Sequence, residues 1–268
     1  MNILPDCHLH SYHSSDSDCS PKDIIQTAIK LGLPAICFTD HNDFLFPPEN
    51  GVTQFQLDFN TYYKDIAAIR EQYQDYPIYI GVEQGLLPAA ADMINAYDST
   101  HLLDFIIGSS HLVYGQDPYY PKFWEDKNIT DTIKAYYQSI IDNINICSNF
   151  DVYGHIDYII RYIPDKHYNY NACDYMDYID AILKNLIETG KGIEINTAGI
   201  RYGTKTNPEP AILKRYRQLG GELMTIGSDA HKLSDIGSHM NIAKDLLNDC
   251  GFRYYTIFIQ RKPHFFKL

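Results

Sequence analysis

Asp6-Cys7-His8-Leu9-His10-Ser11-Tyr12-His13-Ser14-Ser15-Asp16 follows a short run, residues 2–5, that is typical of the start of a β-strand. On an extended backbone, side chains at positions i and i+2 face the same side, so His8 and His10 point together. Two imidazoles on one side of a strand end provide half of a four-ligand metal site. If so, the remaining ligands must come from other parts of the chain.

The rest of the sequence alternates strand and helix patterns about seven times, which is typical of a parallel α/β fold. Further strands are predicted at 34–38, 77–82, 104–109, 151–154, 192–196, 222–227 and 254–259, and helices at 20–32, 58–74, 130–148, 174–189, 208–219 and 234–249. An open doubly wound sheet normally carries a glycine-rich turn after its first strand, and here His8-Leu9-His10 occupies that place. A closed barrel brings all C-terminal strand ends to one mouth, so the pattern favours a TIM-like barrel.

Metal-competent side chains follow nearly every predicted strand. They are His8, His10, Asp16, His41, Glu83, His111, His155, Asp229 and His231. One histidine after a strand is more often structural than a ligand, and it is the joint placement that indicates a metal site. Nine groups exceed the four ligands of a tetrahedral ion and suggest two or three ions. A set of imidazoles and carboxylates without cysteine is compatible with Zn, Mn or Fe.

Composition limits the class of protein further. The 268 residues show no repeat or linker, so we expect one barrel domain over residues 1–268. A net charge of −12 argues against a nucleic-acid partner but allows a small phosphorylated substrate held by one or two arginines. No apolar run approaches the roughly 20 residues of a membrane span. Six scattered cysteines without a Cys-x-x-Cys pair favour reduced thiols and a cytoplasmic protein.

An ordered set of motifs resembles the polymerase-and-histidinol-phosphatase (PHP) family. These motifs are His8-Leu9-His10, Phe38-Thr39-Asp40-His41, Gly81-Val82-Glu83, Ser110-His111, Gly154-His155 and Gly227-Ser228-Asp229-Ala230-His231. The segment 194–201 and Ser14-Ser15-Asp16-Ser17 resemble the stand-alone phosphatases of the family, which hydrolyse L-histidinol phosphate. Each tripeptide alone is a weak signal, whereas the ordered set is specific.

The resemblance implies a distorted (β/α)7 barrel with a trinuclear metal centre at the C-terminal strand ends. It implies a first ion held by His8, His10, Glu83 and Asp229. It implies that Glu83 bridges to a second ion, held by His111 and His155. The third ion would be held by Asp16, His41 and His231. Asp18 and His13 compete with Asp16 for this role, and we prefer Asp16 because it lies six residues beyond His10.

The implied reaction is hydrolysis of a phosphomonoester to L-histidinol and phosphate in histidine biosynthesis. A hydroxide bridging two ions forms near neutral pH and attacks phosphorus in line. Arg161 and Arg201 lie in loops after strand ends, and their planar guanidinium groups suit phosphate binding. Glu194 ends a strand without a clear role, and the general acid stays open among Asp40, Asp43 and His13.

Three other functions are compatible with parts of the pattern. The first is a phosphoesterase of the same family that acts on another small phosphate ester or a nucleotide. The second is an amidohydrolase, which also opens with His-x-His but often uses a bridging lysine where this chain has Glu83. The third is a non-catalytic metal-binding module, which a complete ligand set disfavours.

Overall fold

A computed structural model describes residues 3–97 and 102–268 of the chain. Asn2, which the sequence assigns to the start of the first strand, lies outside these residues. Residues 98–101, which belong to the expected single domain, also lie outside them. The strands are β1 Asp6–Leu9, β2 Ile36–Phe38, β3 His41–Asn42, β4 Ile78–Gly85, β5 Phe105–Ser109, β6 Val152–Tyr153, β7 Gly192–Asn196, β8 Met224–Gly227, β9 Tyr254–Ile259 and β10 Lys262–Lys267. The helices are α1 Pro21–Leu31, α2 Phe59–Arg70, α3 Ala91–Ala96, α4 Ile129–Ile146, α5 Met176–Glu188, α6 Ala198–Arg201, α7 Pro210–Gln218 and α8 Met240–Asp249.

The parallel sheet runs in the order β1-β2-β4-β5-β6-β7-β8, with the short β3 pairing to β4 beside β2. This path of seven strands is nearly closed into a barrel with helices around it, which confirms the predicted fold class. Closure occurs between β1 and the residues that follow β8. There the amide of Asp229 donates to the carbonyl of His8 (2.9 Å) and the amide of His10 donates to the carbonyl of Ala230 (3.0 Å).

A buried carboxylate reinforces this closure. Asp6, at the start of β1, accepts hydrogen bonds from the amide (2.8 Å) and the hydroxyl (2.5 Å) of Ser228. Its second oxygen also accepts from the amide of Gly237 (2.8 Å), which lies between β8 and α8. A buried carboxylate is costly without donors, so Asp6 needs these bonds. They hold β1 against the segment that follows β8.

Local sequence signals set the helix that follows β1. Ser20 caps the amino end of α1 by accepting from the amide of Asp23, and Pro21 fills the first helical position. Gly32 ends the helix in the left-handed conformation, with φ of 74°. The inward face of α1 buries Ile24, Ile25 and other apolar residues against the sheet.

Several elements differ from the sequence-based expectation. The sequence did not predict β3, and Arg201, which it places in a loop, lies at the end of the short helix α6. The last helix begins at Met240 rather than at residue 234, because Gly237 and His239 adopt left-handed backbone angles that interrupt a helix. The run 262–267 forms a second strand that the sequence did not predict. All six of its residues are exposed, so it lacks the alternation of buried and exposed positions that identifies a strand.

The antiparallel hairpin β9–β10 covers the amino-terminal end of the barrel, opposite the mouth. The amide of Gln260 donates to the carboxylate of Asp104, just before β5, and Arg261 contacts the carboxylate of Asp151, just before β6. Phe258 stacks on Phe105 with ring centroids 5.3 Å apart. Within the described residues, no helix has the length and apolarity needed to cross a bilayer.

We predict that Phe258→Ala destabilises the fold by about 3 kcal/mol, because it removes a ring that is only 5% exposed from the barrel floor. The matched control is Phe265→Ala, on the same hairpin but 50% exposed, which should change the free energy of unfolding by less than about 0.5 kcal/mol. Denaturant unfolding of both variants measures the difference. Equal losses in the free energy of unfolding would show that the packing of Phe258 against the barrel adds no specific stability.

Candidate metal centre

The predicted ligands converge at the carboxyl ends of the strands. His8 lies in β1 and His10 just beyond it, His41 lies in β3 and Glu83 in β4. The remaining residues follow strand ends: His111 after β5, His155 after β6, and Asp229 and His231 after β8. Asp16 reaches the same place from the loop after β1. The barrel therefore assembles the predicted group from residues more than 200 positions apart.

Glu83 lies at the centre of this cluster and is 1% exposed. Its Oε2 faces the Nε2 atoms of His8 (3.2 Å) and His10 (3.6 Å) and the Nδ1 of His41 (3.0 Å). Its Oε1 faces the Nε2 atoms of His111 (3.1 Å) and His155 (2.7 Å). The two carboxylate oxygens thus address two different groups of imidazoles, as a bridging ligand requires.

Asp229 faces the first of these groups. Its Oδ1 lies 3.4 Å from Nε2 of His10 and 3.8 Å from Nε2 of His8. The same oxygen lies 3.5 Å from Nδ1 of His231. Asp229 therefore connects the imidazoles of β1 to the outer part of the cluster.

Asp16, rather than Asp18 or His13, faces the outer imidazoles. Its Oδ2 lies 3.1 Å from Nε2 of His231 and 3.7 Å from Nε2 of His41. Within the described part of the chain no ion pair joins Asp18 to these imidazoles, and the imidazole of His13 instead contacts the carboxylate of Asp65 at 3.0 Å.

The donor set fits divalent metal ions. Four groups of three side chains each place one ligand atom within 4.8 Å of the others: His8, His10 and Asp229; His10, His41 and His231; His41, Asp43 and His111; Glu83, His111 and His155. Among the described residues, Nε2 of His8 and of His10, Nδ1 of His41 and Oε2 of Glu83 are buried and face one another without a well-aligned hydrogen bond. Buried polar atoms without partners are costly, and a cation at their centre would satisfy them.

Neighbouring side chains hold the other ring nitrogens of these histidines. Nδ1 of His8 lies 2.6 Å from Glu194, Nδ1 of His10 lies 3.1 Å from Ser14, and Nδ1 of His111 lies 2.7 Å from Asp43. A carboxylate on one nitrogen fixes the tautomer and directs the lone pair of the other nitrogen inward. Glu194 thus contacts a histidine of the cluster, which answers the question that the sequence left open.

Sequence reasoning missed the contact of Asp43 with His111. Asp43 was considered only as a general acid, although its position two residues after His41 on an extended chain was a usable signal. Gly85 makes room for it, because a Cβ at that position would meet the carboxylate of Asp43 at 1.9 Å.

The other two candidate general acids have partners elsewhere. Asp40 accepts hydrogen bonds from the amides and hydroxyls of both Ser11 and Ser14, and so holds the loop after β1. His13 lies against Asp65, as described above. The structure therefore gives neither residue an evident place at the cluster.

The two predicted phosphate-binding arginines lie in different surroundings. Arg161 lines the cavity above the cluster, its Nη2 is 3.6 Å from Oδ2 of Asp229, and its Nε and Nη2 have no hydrogen-bond partner in the described chain. Arg201 instead donates to the carbonyls of Ser228 (2.7 Å) and Asp229 (2.8 Å). In this arrangement Arg201 holds the loop that carries Asp229.

Electrostatics of the cluster couple the imidazoles to the carboxylates. Burial and the charges on His231 and His41 lower the pKa of His10 well below 6.5, so its imidazole is neutral. Burial opposes protonation of His111, but Asp43 and Glu83 outweigh it and raise its pKa to about 10. Burial likewise opposes ionisation of Glu83, and the surrounding histidines still hold its pKa well below 4.5. Protons on some imidazoles thus balance the buried carboxylates in the absence of a cation.

A cavity of about 510 Å³ opens above the cluster. Cluster residues form its floor, and its walls carry Arg161 together with the aromatic rings of Phe55, Tyr158 and Tyr202. The volume lies within the range of small-molecule sites in proteins. The fold and site define an α/β-barrel protein with a metal-competent centre under a small-molecule pocket.

Comparison with known proteins identifies the family. The PHP domain model matches residues 6–198, and the chain belongs to this family. The chain is 30% identical to a probable histidinol-phosphatase of Thermotoga maritima over 94% of each chain. It is 29% identical to a probable histidinol-phosphatase of Clostridium acetobutylicum over 96% of this chain and 97% of the relative.

A solved structure agrees with these relatives. The crystal structure of histidinol phosphate phosphatase from Lactococcus lactis subsp. lactis, in complex with Zn, L-histidinol and phosphate, matches with a TM-score of 0.86. The two chains are 28% identical, and the match covers 97% of this chain and 99% of the other.

We predict that Glu194→Gln weakens Zn²⁺ binding by about 10- to 100-fold, because the charged partner of His8 is lost while side-chain size is kept. Glu188→Gln, on the exposed end of α5, is the control and should leave the affinity unchanged. Titration of metal-stripped protein against a competing chelator measures both. Unchanged affinity in Glu194→Gln would show that its contact with His8 does not support a metal ligand.

We also predict that Zn²⁺ binding releases protons at pH 7 and weakens as the pH falls. The pKa values of His8, His41 and His111 are raised in the metal-free cluster, so these imidazoles carry protons that a cation must displace. Calorimetric titration in two buffers of different ionisation enthalpy counts the protons. Affinity that is independent of pH between 6 and 9 would contradict this expectation.

Proposed function

We propose that this chain is a metal-dependent phosphomonoesterase that hydrolyses L-histidinol phosphate to L-histidinol and phosphate. The observation that carries the proposal is the pairing of a histidine and carboxylate cluster with full-length similarity to histidinol-phosphatases. The Lactococcus enzyme, crystallised with Zn, L-histidinol and phosphate, has the same fold over nearly its whole length.

We assign the ligands of the centre as the resemblance implies. His8, His10, Glu83 and Asp229 would hold one ion, Glu83 with His111 and His155 a second, and Asp16 with His41 and His231 a third. The ions would be Zn, Mn or Fe. When bound, they supply an activated water near neutral pH and neutralise phosphoryl oxygens.

The protein's own residues orient and complete this centre. Glu194, Ser14 and Asp43 fix the imidazoles of His8, His10 and His111 through the contacts described above. Arg161 lines the cavity, with its Nη2 3.6 Å from Oδ2 of Asp229, and binds the phosphoryl group. For Arg201 we keep the proposed contact with phosphate, which it would make from the end of α6, beside the loop that carries Asp229.

The remaining expectations complete the proposal. The whole chain, residues 1–268, acts as one barrel domain in the cytoplasm on a small phosphorylated substrate, without nucleic acid. All six cysteines are free, as a reducing compartment requires.

We predict that purified protein contains divalent metal and releases phosphate from L-histidinol phosphate, and that chelation abolishes this activity. Arg161→Met, which keeps an unbranched side chain but removes its charge and its donors, should lower kcat/KM by about 100-fold or more, because a phosphate-binding donor is lost. His111→Ala should lower turnover by orders of magnitude while the protein stays folded. The control is His167→Ala, an exposed loop residue, with expected wild-type activity.

Phosphate release, metal content and circular dichroism of the four proteins measure these effects. Hydrolysis of an amide or lactone without phosphate release would replace the proposal by an amidohydrolase. Activity confined to nucleic-acid substrates would replace the proposal by the function of another member of the family. Normal turnover in metal-replete His111→Ala would show that the centre is misassigned.

A further inference from the structure

The cavity above the cluster has an outer wall that the metal chemistry does not use. The segment between β5 and α4 contributes Asp117, Tyr119 and Tyr120 to it, and the turn after β6 contributes Tyr158 and Tyr162. This wall is where the part of a substrate that is not phosphate must lie.

Asp117 is a partly buried carboxylate on this wall. Its Oδ1 accepts a hydrogen bond from the amide of Tyr119 at 2.8 Å. Across residues 3–97 and 102–268, no lysine, arginine or histidine forms an ion pair with it. Burial raises the pKa of Asp117, and the amide of Tyr119 and the charge on His111 oppose this rise without cancelling it. A cationic ligand group in the cavity would satisfy this charge.

Arg161, another charged side chain that lines this cavity, has the opposite sign and a different neighbour. Arg161 lies close to Asp229 of the cluster, and its guanidinium stands over the rings of Tyr158 and Tyr202, 5.1 and 4.5 Å from their centroids. A cationic side chain beside the cluster suits a phosphoryl group. The anionic Asp117 suits the opposite charge on the same ligand.

Aromatic rings extend from the cluster along this wall. Tyr158 packs on His155 with centroids 4.9 Å apart, and Tyr162 lies 5.1 Å from Tyr158 and shares a hydroxyl hydrogen bond of 2.8 Å with it. Tyr119 lies 5.8 Å from Tyr162. Ring faces of this kind pack against a planar heterocycle and attract a cation.

We propose that Asp117 binds the ammonium group of the substrate, within a subsite whose tyrosines contact its imidazole. This inference rests on the proposed function and adds the basis of specificity: the enzyme selects phosphomonoesters that carry a cationic amine. Asp117 contributes to binding and takes no part in the chemical step.

The test compares L-histidinol phosphate with imidazolylpropyl phosphate, its counterpart without the amine, on metal-loaded protein. Asp117→Asn keeps the acceptor for the amide of Tyr119 and removes the charge. It should raise KM for L-histidinol phosphate by about 10- to 100-fold, the usual effect of losing a charged hydrogen bond, with kcat nearly unchanged. Turnover of the amine-free ester should change less than about threefold.

Two further variants and one binding measurement sharpen the result. Glu125→Gln removes an exposed acid of the same segment and should leave KM for L-histidinol phosphate unchanged. Glu49→Gln removes another acid that lines the cavity and should raise this KM less than Asp117→Asn does. L-Histidinol should also inhibit the hydrolysis of p-nitrophenyl phosphate at least tenfold more weakly in Asp117→Asn than in the wild-type enzyme.

The outcomes separate this inference from the proposed function. A wild-type enzyme that hydrolyses p-nitrophenyl phosphate but not L-histidinol phosphate would overturn both. Suppose instead that the wild-type enzyme prefers L-histidinol phosphate to the amine-free ester. The role of Asp117 alone would then be overturned if Asp117→Asn kept this preference, or if only Glu49→Gln lost it. Equal losses on both esters would assign Asp117 a structural role instead.

Discussion

The site depends on one constraint, the burial of the Glu83 carboxylate among five imidazoles at the mouth of the barrel. A buried charge is tolerated only when opposite charges or donors surround it. Because those imidazoles come from four strand regions, the constraint also links distant segments of the chain. The strands set the direction in which each imidazole points. Their parallel arrangement puts every strand end that contributes a ligand at the same mouth of the barrel.

A second layer of polar contacts makes this arrangement specific. Glu194, Ser14 and Asp43 each contact the outer nitrogen of a histidine in the cluster, so ring orientation is set before any ion enters. Asp40 and Arg201 act one step further out, since they hold the loops that carry Asp16 and Asp229. The cluster is therefore supported by contacts on both sides of the barrel seam between β1 and β8.

Much of this organisation was predictable from sequence, for a physical reason. A histidine or carboxylate directly after an apolar run is visible in one dimension, and parallel strands bring such residues together whatever their exact register. The role of Glu194 was not predictable, because its contact with His8 joins residues 186 positions apart and depends on how the barrel closes. The partner of Asp43 and the tyrosine wall of the cavity depend in the same way on loop conformations. The strand 262–267 escaped prediction because both its faces are exposed.

Closure of the barrel has a consequence for how the protein is made. His8 and His10 leave the ribosome early, whereas Asp229 and His231, which complete their surroundings, follow more than 200 residues later. Until then the amide of His10 and the carboxylate of Asp6 lack the partners they have in the finished barrel. Contacts of such long sequence separation form late and slow folding. The first histidines therefore stay without their full ligand surroundings until almost the last strand of the barrel has been synthesised.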